Sequence, residues 1–146
     1  MTHDNSARPD ISTAHDPIYT AVDLHRRWRL LMEPLGFSEV LLWFTFIDAD
    51  HLQAPALNQL PIPTSPDPFL SDILMSRLAE TLAEMPDLSV ALLLSRPGSD
   101  GVTDDDMAWA RVLTDDAVRH GVTLHPIHRA NDVELVPLTV ATDSAA

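Results

Sequence analysis

VLLWFTFI, from Val40 to Ile47, and its shorter counterpart SVALLL, from Ser89 to Leu94, decide the fold. In the first stretch Val40, Leu42, Phe44 and Phe46 point to one side, and Leu41, Trp43, Thr45 and Ile47 to the other. Both sides are apolar, as they are in the second stretch. A strand of this kind is an interior strand covered on both faces, because an edge strand, or a sheet with one bare face, would leave half of these side chains in water.

Outward from these two strands the chain supplies the cover. Asp16-Pro17 pairs an N-cap residue with proline at the first helical position, and Ala21, Leu24, Trp28 and Leu31 follow helical spacing up to Pro34-Leu35-Gly36. Asp67-Pro68 repeats that signature before a stripe of Leu70, Ile73, Leu74, Leu78, Leu82 and Met85. Thr103 followed by Asp104, Asp105 and Asp106 caps a third helix, carrying Met107, Ala110, Leu113, Ala117 and Val118 inward and closed by Gly121. Ala56 to Ile62, Val122 to Ile127 and Val133 to Val140 read as further strands. Pro61, Pro126 and Pro137 place them at edges or bulges. The order α-β-β-α-β-α-β-β predicts an α/β fold, a three-layer α/β/α sandwich with a mixed sheet. The domain is expected over 17–140, between a disordered acidic tail at 1–16 and another tail at 141–146.

Composition narrows the chemistry. The 146 residues suit one domain, able to bury roughly 70% of its unfolded surface without staples. There is no cysteine, which removes disulfides, thiolate nucleophiles and thiolate zinc sites, and all nine cationic residues are arginine, which removes Schiff-base and P-loop lysines. A net charge of −13 makes nucleic acid and anionic membrane poor partners. Arginine without lysine, alongside abundant Asp, Ala, Leu and Val, fits a high-GC genome such as an actinomycete's, or adaptation to salt. No apolar run reaches the ~20 residues of a membrane span, and the first residues lack a signal-peptide pattern, so a cytoplasmic location is expected.

The favoured location for a site is Ser95 to Asp106, where a buried strand hands over to a helix N-terminus. Ser95, Arg96, Ser99, Thr103 and Asp106 are the candidate pocket residues, with Arg96 placed to reach an anion. The competing reading is a capped helix after a polar loop, its Arg96 neutralised by Asp100, Asp104, Asp105 and Asp106. His120, His125, His128 and Asp132 carry metal-ligand chemistry but not helical i, i+4 spacing, and Pro126 interrupts them; surface histidines at a strand end are the preferred reading. The three aspartates at 104–106 are expected to point in different directions and serve as a solvated cap rather than a Mg²⁺ or Ca²⁺ site. His25-Arg26-Arg27-Trp28-Arg29 is the one locally basic stretch, read as a solvated helix face. Ser95 lacks the glycines of a G-x-S-x-G elbow, which leaves no serine-hydrolase signature.

From Val40 to about Leu138 the chain resembles the JAB/MPN (JAMM) domain of the RadC type. An apolar strand, Leu94-Ser95-Arg96-Pro97, a short loop and Thr103-Asp104-Asp105-Asp106 opening a helix stand in for that family's strand, His-x-His-Pro and Ser-x-x-Asp. By that match Pro97, Thr103 and Asp106 fall on motif positions, while Leu94 and Arg96 occupy the places of the two zinc histidines, and Glu39 is the one nearby counterpart of the upstream glutamate. The chain is also similar to short uncharacterised proteins of actinobacterial genomes, which lend no activity. The resemblance implies the fold and argues against metallopeptidase activity. It leads to a non-catalytic protein-interaction scaffold with no cofactor, against a metal-dependent hydrolase with an atypical His/Asp site or a small-molecule binding domain beside Ser95–Gly101. Arg96 is then expected to take the zinc's place by pairing with Asp106. Trp109 and Val112, off the inward stripe of their helix, and Trp28, set among arginines, point to a homodimer.

Overall fold

The computed structural model describes residues 14–140, so the tails expected at the two ends lie largely outside the described residues. Three helices, α1 (Ala21–Met32), α2 (Pro68–Glu84) and α3 (Asp104–His120), enclose five strands, β1 (Leu41–Ile47), β2 (Asn58–Pro61), β3 (Ser89–Ser95), β4 (Ile127–Ala130) and β5 (Leu135–Leu138). Their sequence order is the expected one. The sheet is mixed, in the order β2-β1-β3-β4-β5. β1 lies antiparallel to β3 in the interior, with Leu41 opposite Ser95 and Ile47 opposite Ser89, and the crossover through α3 makes β3 and β4 parallel.

The two-faced pattern of β1 and β3 sorts the layers. Leu42 with Val90, Leu92 and Leu94 packs against Met75, Leu78 and Leu82 of α2 and Trp109, Ala110 and Leu113 of α3. On the opposite face Ile47, Ala91 and Leu93 meet Leu24, Trp28 and Met32 of α1. Every residue from Val90 to Leu94 is buried, so an alternating apolar run becomes the central plank of a three-layer sandwich. No helix among the described residues is long and apolar enough to cross a membrane.

Boundaries moved for local reasons. α1 begins at Ala21, not after Asp16-Pro17, because Thr20 and Asp23 form a reciprocal capping box. β4 starts at Ile127 rather than Val122, since Pro126 has no N–H for the ladder; only an isolated bridge at Leu124 precedes it. Pro61 ends the edge strand β2, and Pro137 is tolerated in β5 because that strand is the other edge. Two helix stripes were rotated in the sequence reading. On α2, Ile73 is exposed while Ser71 and Met75 are buried; on α3, Val118 is exposed while Trp109 is buried. A polar or aromatic residue shares the inner arc in each case.

That rotation overturns the basis of the expected dimer surface. Trp28 and Trp109 are only 1% and 2% exposed. The Trp109 Nε1–H donates to the carbonyl oxygens of Pro63 and Thr64, each at 3.1 Å, so this residue anchors the chain's own β2–α2 connection. The basic stretch of α1 is likewise not a uniformly solvated face, because Arg27 is buried and donates to Gln53 Oε1 at 2.8 Å.

Candidate functional site

The parallel β3–α3–β4 unit brings two loops together at the carboxyl ends of β3 and β4, where α/β sheets carry their ligand crevices. The loop after β3 is laced to the turn after β4. Arg96 N–H donates to Ala130 O at 3.1 Å, and Asp132 N–H donates to Gly98 O at 2.9 Å. Asp132 Oδ2 accepts from Gly98 N–H at 2.8 Å, and Oδ1 from Phe37 N–H at 2.9 Å. Asn131, fully buried, donates through Nδ2 to Asp100 O at 2.7 Å while its Oδ1 accepts from Val133 and Glu134 N–H. Gly98 holds φ 111°, a conformation that a side chain would strain.

Arg96 rises from this platform and grips Asp106. Its Nε donates to Oδ1 and its Nη2 to Oδ2, both at 2.8 Å, and Nη2 also reaches Gly101 O at 3.0 Å. The arrangement is a fork-to-fork ion pair. With side chains 12% and 5% exposed, the pair is more buried than the sequence implied. Asp106 Oδ2 also accepts from Thr103 N–H at 3.0 Å, completing the capping box of α3. Burial raises the Asp106 pKa, but the Arg96 hydrogen bonds, the Thr103 N–H and the guanidinium charges outweigh it and hold the carboxyl below its usual range. The reciprocal bond raises the Arg96 pKa.

A second guanidinium, absent from the sequence reading, closes the other side. Arg129 of β4 is fully buried; its Nε donates to Asp106 Oδ2 at 3.2 Å and its Nη2 to Glu134 Oε2 at 2.8 Å, while Nη1 has no hydrogen-bond partner among the described residues. The signal for it was strand parity. Arg129 shares a face with Ile127, directed at α3 rather than solvent, and an inward arginine needs a carboxylate.

Of the candidate residues, Ser95, Arg96, Thr103 and Asp106 line one cavity of about 320 Å³. Ser99 is exposed in the loop and does not line it. Ser95 Oγ accepts from Trp43 Nε1–H at 2.9 Å, which gives this buried hydroxyl a packing role. Asp104, Asp105 and Asp106 diverge as expected: Asp104 is exposed, Asp105 accepts from Ser65 Oγ at 3.1 Å, and Asp106 turns inward. Glu39 is exposed.

The late histidines are not brought together. His120 Nε2 lies 2.8 Å from Asp72 Oδ1. His125 Nε2 lies 2.6 Å from Ser89 Oγ. Asp132 serves the loop platform, and no three His, Asp or Glu side chains among the described residues form a metal-binding group. The Ser89–His125 pair has no carboxylate hydrogen-bonded to its ring among the described residues, and Ser89 Oγ also sits 3.3 Å from Ile47 O, an arrangement of strand-end packing rather than nucleophile activation. His128, expected at the surface, is 1% exposed because β4 turns it under α1, against His25.

Compared with models of known protein families, with curated proteins and with solved structures, the chain matches none. The site therefore rests on its own geometry, which is a carboxylate saturated by two arginines.

Proposed function

We propose that the chain is a non-catalytic domain of the JAB/MPN type that acts in the cytoplasm as a protein-interaction scaffold. The observation that carries this reading is the double engagement of Asp106. Under the resemblance that carboxylate would face zinc; here Arg96 holds both of its oxygens and Arg129 adds a third contact. Leu94, at the place of the other histidine, is buried in the apolar core. A guanidinium supplies the positive charge of a metal without its open coordination positions, so it fixes a loop and activates no water.

A two-fold dimer belongs to the same proposal, on surfaces other than those first expected. Phe69 and Ile73 lie one turn apart on α2 and are 72% and 42% exposed, an apolar pair on a strongly acidic chain. Elemental analysis of protein purified without an affinity tag tests the non-catalytic reading: well under one zinc per chain is expected, and stoichiometric zinc that disappears in Asp106→Asn would overturn it. Light scattering tests the dimer, which Phe69→Ser should return to monomer; a wild-type monomer at high micromolar concentration would remove it.

A further inference from the structure

Between the last turns of α3 and the strands β4 and β5 lies a cavity of about 410 Å³ with largely apolar walls. Ala117 and Val118 line it from the helix, Leu124 and Ile127 from the approach to β4, and Leu138 and Val140 from β5 and its end. Neither a carboxylate nor a guanidinium is among its lining residues, on a chain whose net charge is −13. An ionised ligand would find no counter-charge there, whereas an uncharged one of drug-fragment size fits such walls. We propose that this cavity binds a small uncharged molecule of the phenol class, its ring against the apolar walls and its hydroxyl donating to His125 Nδ1.

The hydrogen bonds of His125, which lines the cavity, decide what a ligand must offer. Its Nε2 is 2.6 Å from Ser89 Oγ, and that hydroxyl donates to Ile47 O at 3.3 Å. A serine hydroxyl has one proton and a carbonyl can only accept, so Oγ gives its proton to Ile47 and accepts from Nε2–H. The network thereby assigns the tautomer and leaves Nδ1 as a bare lone pair. Nδ1 has no hydrogen-bond partner among the described residues, and it is not sealed from solvent. Burial, then the charge of His51, lowers the His125 pKa, which keeps the ring neutral and an acceptor at neutral pH. An acceptor in an apolar wall selects a donor on an apolar body; a carboxylate or phosphate, which only accepts when ionised, finds no match. A phenol (pKa about 10) still carries its proton at neutral pH and presents that donor on a flat apolar ring. The cavity lies toward the other end of α3 from Asp106 and owes nothing to the scaffold reading.

Calorimetric titration of the full chain with para-ethylphenol at pH 7.5, against its methyl ether, tests it. Saturable binding is expected, with the phenol tighter than the ether by roughly 5- to 10-fold, the worth of one hydrogen bond. His125→Phe keeps a ring and removes the acceptor, so it should bring the two affinities together. Val118→Asp puts a charge beside the apolar wall and should weaken both ligands several-fold. Thermal melts confirm that each variant is folded, and Val118, 76% exposed, is the position safest for the fold. Absence of saturable phenol binding by the full chain would overturn the proposal, even where a chain ending at Val140 binds, since residues 141–146 would then be the occupant. So would equal affinity for the methyl ether, tighter binding of para-ethylbenzoate than of the phenol, or binding untouched by both substitutions.

Discussion

Two groups of arginines stand on opposite faces of one sheet, and their surroundings differ in kind. At the carboxyl ends of β3 and β4, Arg96 and Arg129 are buried and matched by Asp106 and Glu134 within the protein. Along α1, Arg29 donates to both carboxylate oxygens of Glu33, and Arg26 lies 3.8 Å from Asp23 Oδ1. The first arrangement joins separate elements in the interior; the second pairs residues three and four positions apart along one helix. A charged cluster therefore marks a ligand site only after its internal partners are counted. At the favoured location in the sequence, Ser95 to Asp106, Arg96 directs its donors to both oxygens of Asp106 and to Gly101 O.

Removing a partner from the closed group should have the largest effect. Asp106→Ala leaves Arg129 buried beside a lost charge and deletes the capping box of α3, for a loss of about 3–5 kcal/mol in chemical denaturation. A loss below about 1 kcal/mol would mean that the network is not a staple.

Acid titration should separate the two regions. His128 is pushed down to about 4, by burial and then by His25, from an ordinary value of 6.5. Its folded-state pKa lies below the unfolded value, so the unfolded chain takes up the proton first. Stability contributed by the neutral ring is complete above pH 6.5 and falls as the pH drops towards 4, by on the order of 3 kcal/mol. Asp106 loses stability in the same direction but in a lower pH window. Its lowered pKa contributes stability above the ordinary carboxylate value of 3.8, and that contribution is lost only as the pH falls through the folded value. Denaturation midpoints of wild type and His128→Gln between pH 7 and 4 check this, since the variant should lack the decline.

Arg96→Gln should cost less than Asp106→Ala, about 2 kcal/mol, because Arg129 still answers Asp106. The loss should be local, with faster amide exchange at Gly98 and Gly101 than in β3. Smallest of all, Arg26→Gln on the exposed face of α1 should shift stability by no more than about 0.5 kcal/mol.

Much of this comparison was legible in the sequence, for identifiable reasons. The two-faced runs of β1 and β3 and the caps at Asp67 and Thr103 are local signals that nothing in the tertiary structure overrode. Arg96 opposite Asp106 followed from one short loop, so a motif offset sufficed. Arg129 and Asn131 did not show, because their partners lie on other elements: Asp106, 23 residues away, for the arginine, and Asp100, 31 residues away, for the asparagine. The contact of His25 with His128 was hidden for the same reason, since the two rings meet only after β4 is laid under α1. The rotation of the α2 and α3 stripes was missed because buried Ser71 and Asp116 break the assumption that only apolar residues face inward.

The central claim, that Arg96 and Arg129 are closed around Asp106 within the protein, is tested most directly by the Nε–Hε resonances of the arginine side chains. These should be recorded for wild type and for Asp106→Asn under the same conditions. In wild type Arg96 and Arg129 are expected to exchange slowly with solvent and Arg26, more than half exposed, to exchange fast, while Asp106→Asn should shift both slow resonances. Exchange at Arg96 and Arg129 as fast as at Arg26, or resonances left unmoved by Asp106→Asn, would contradict the account.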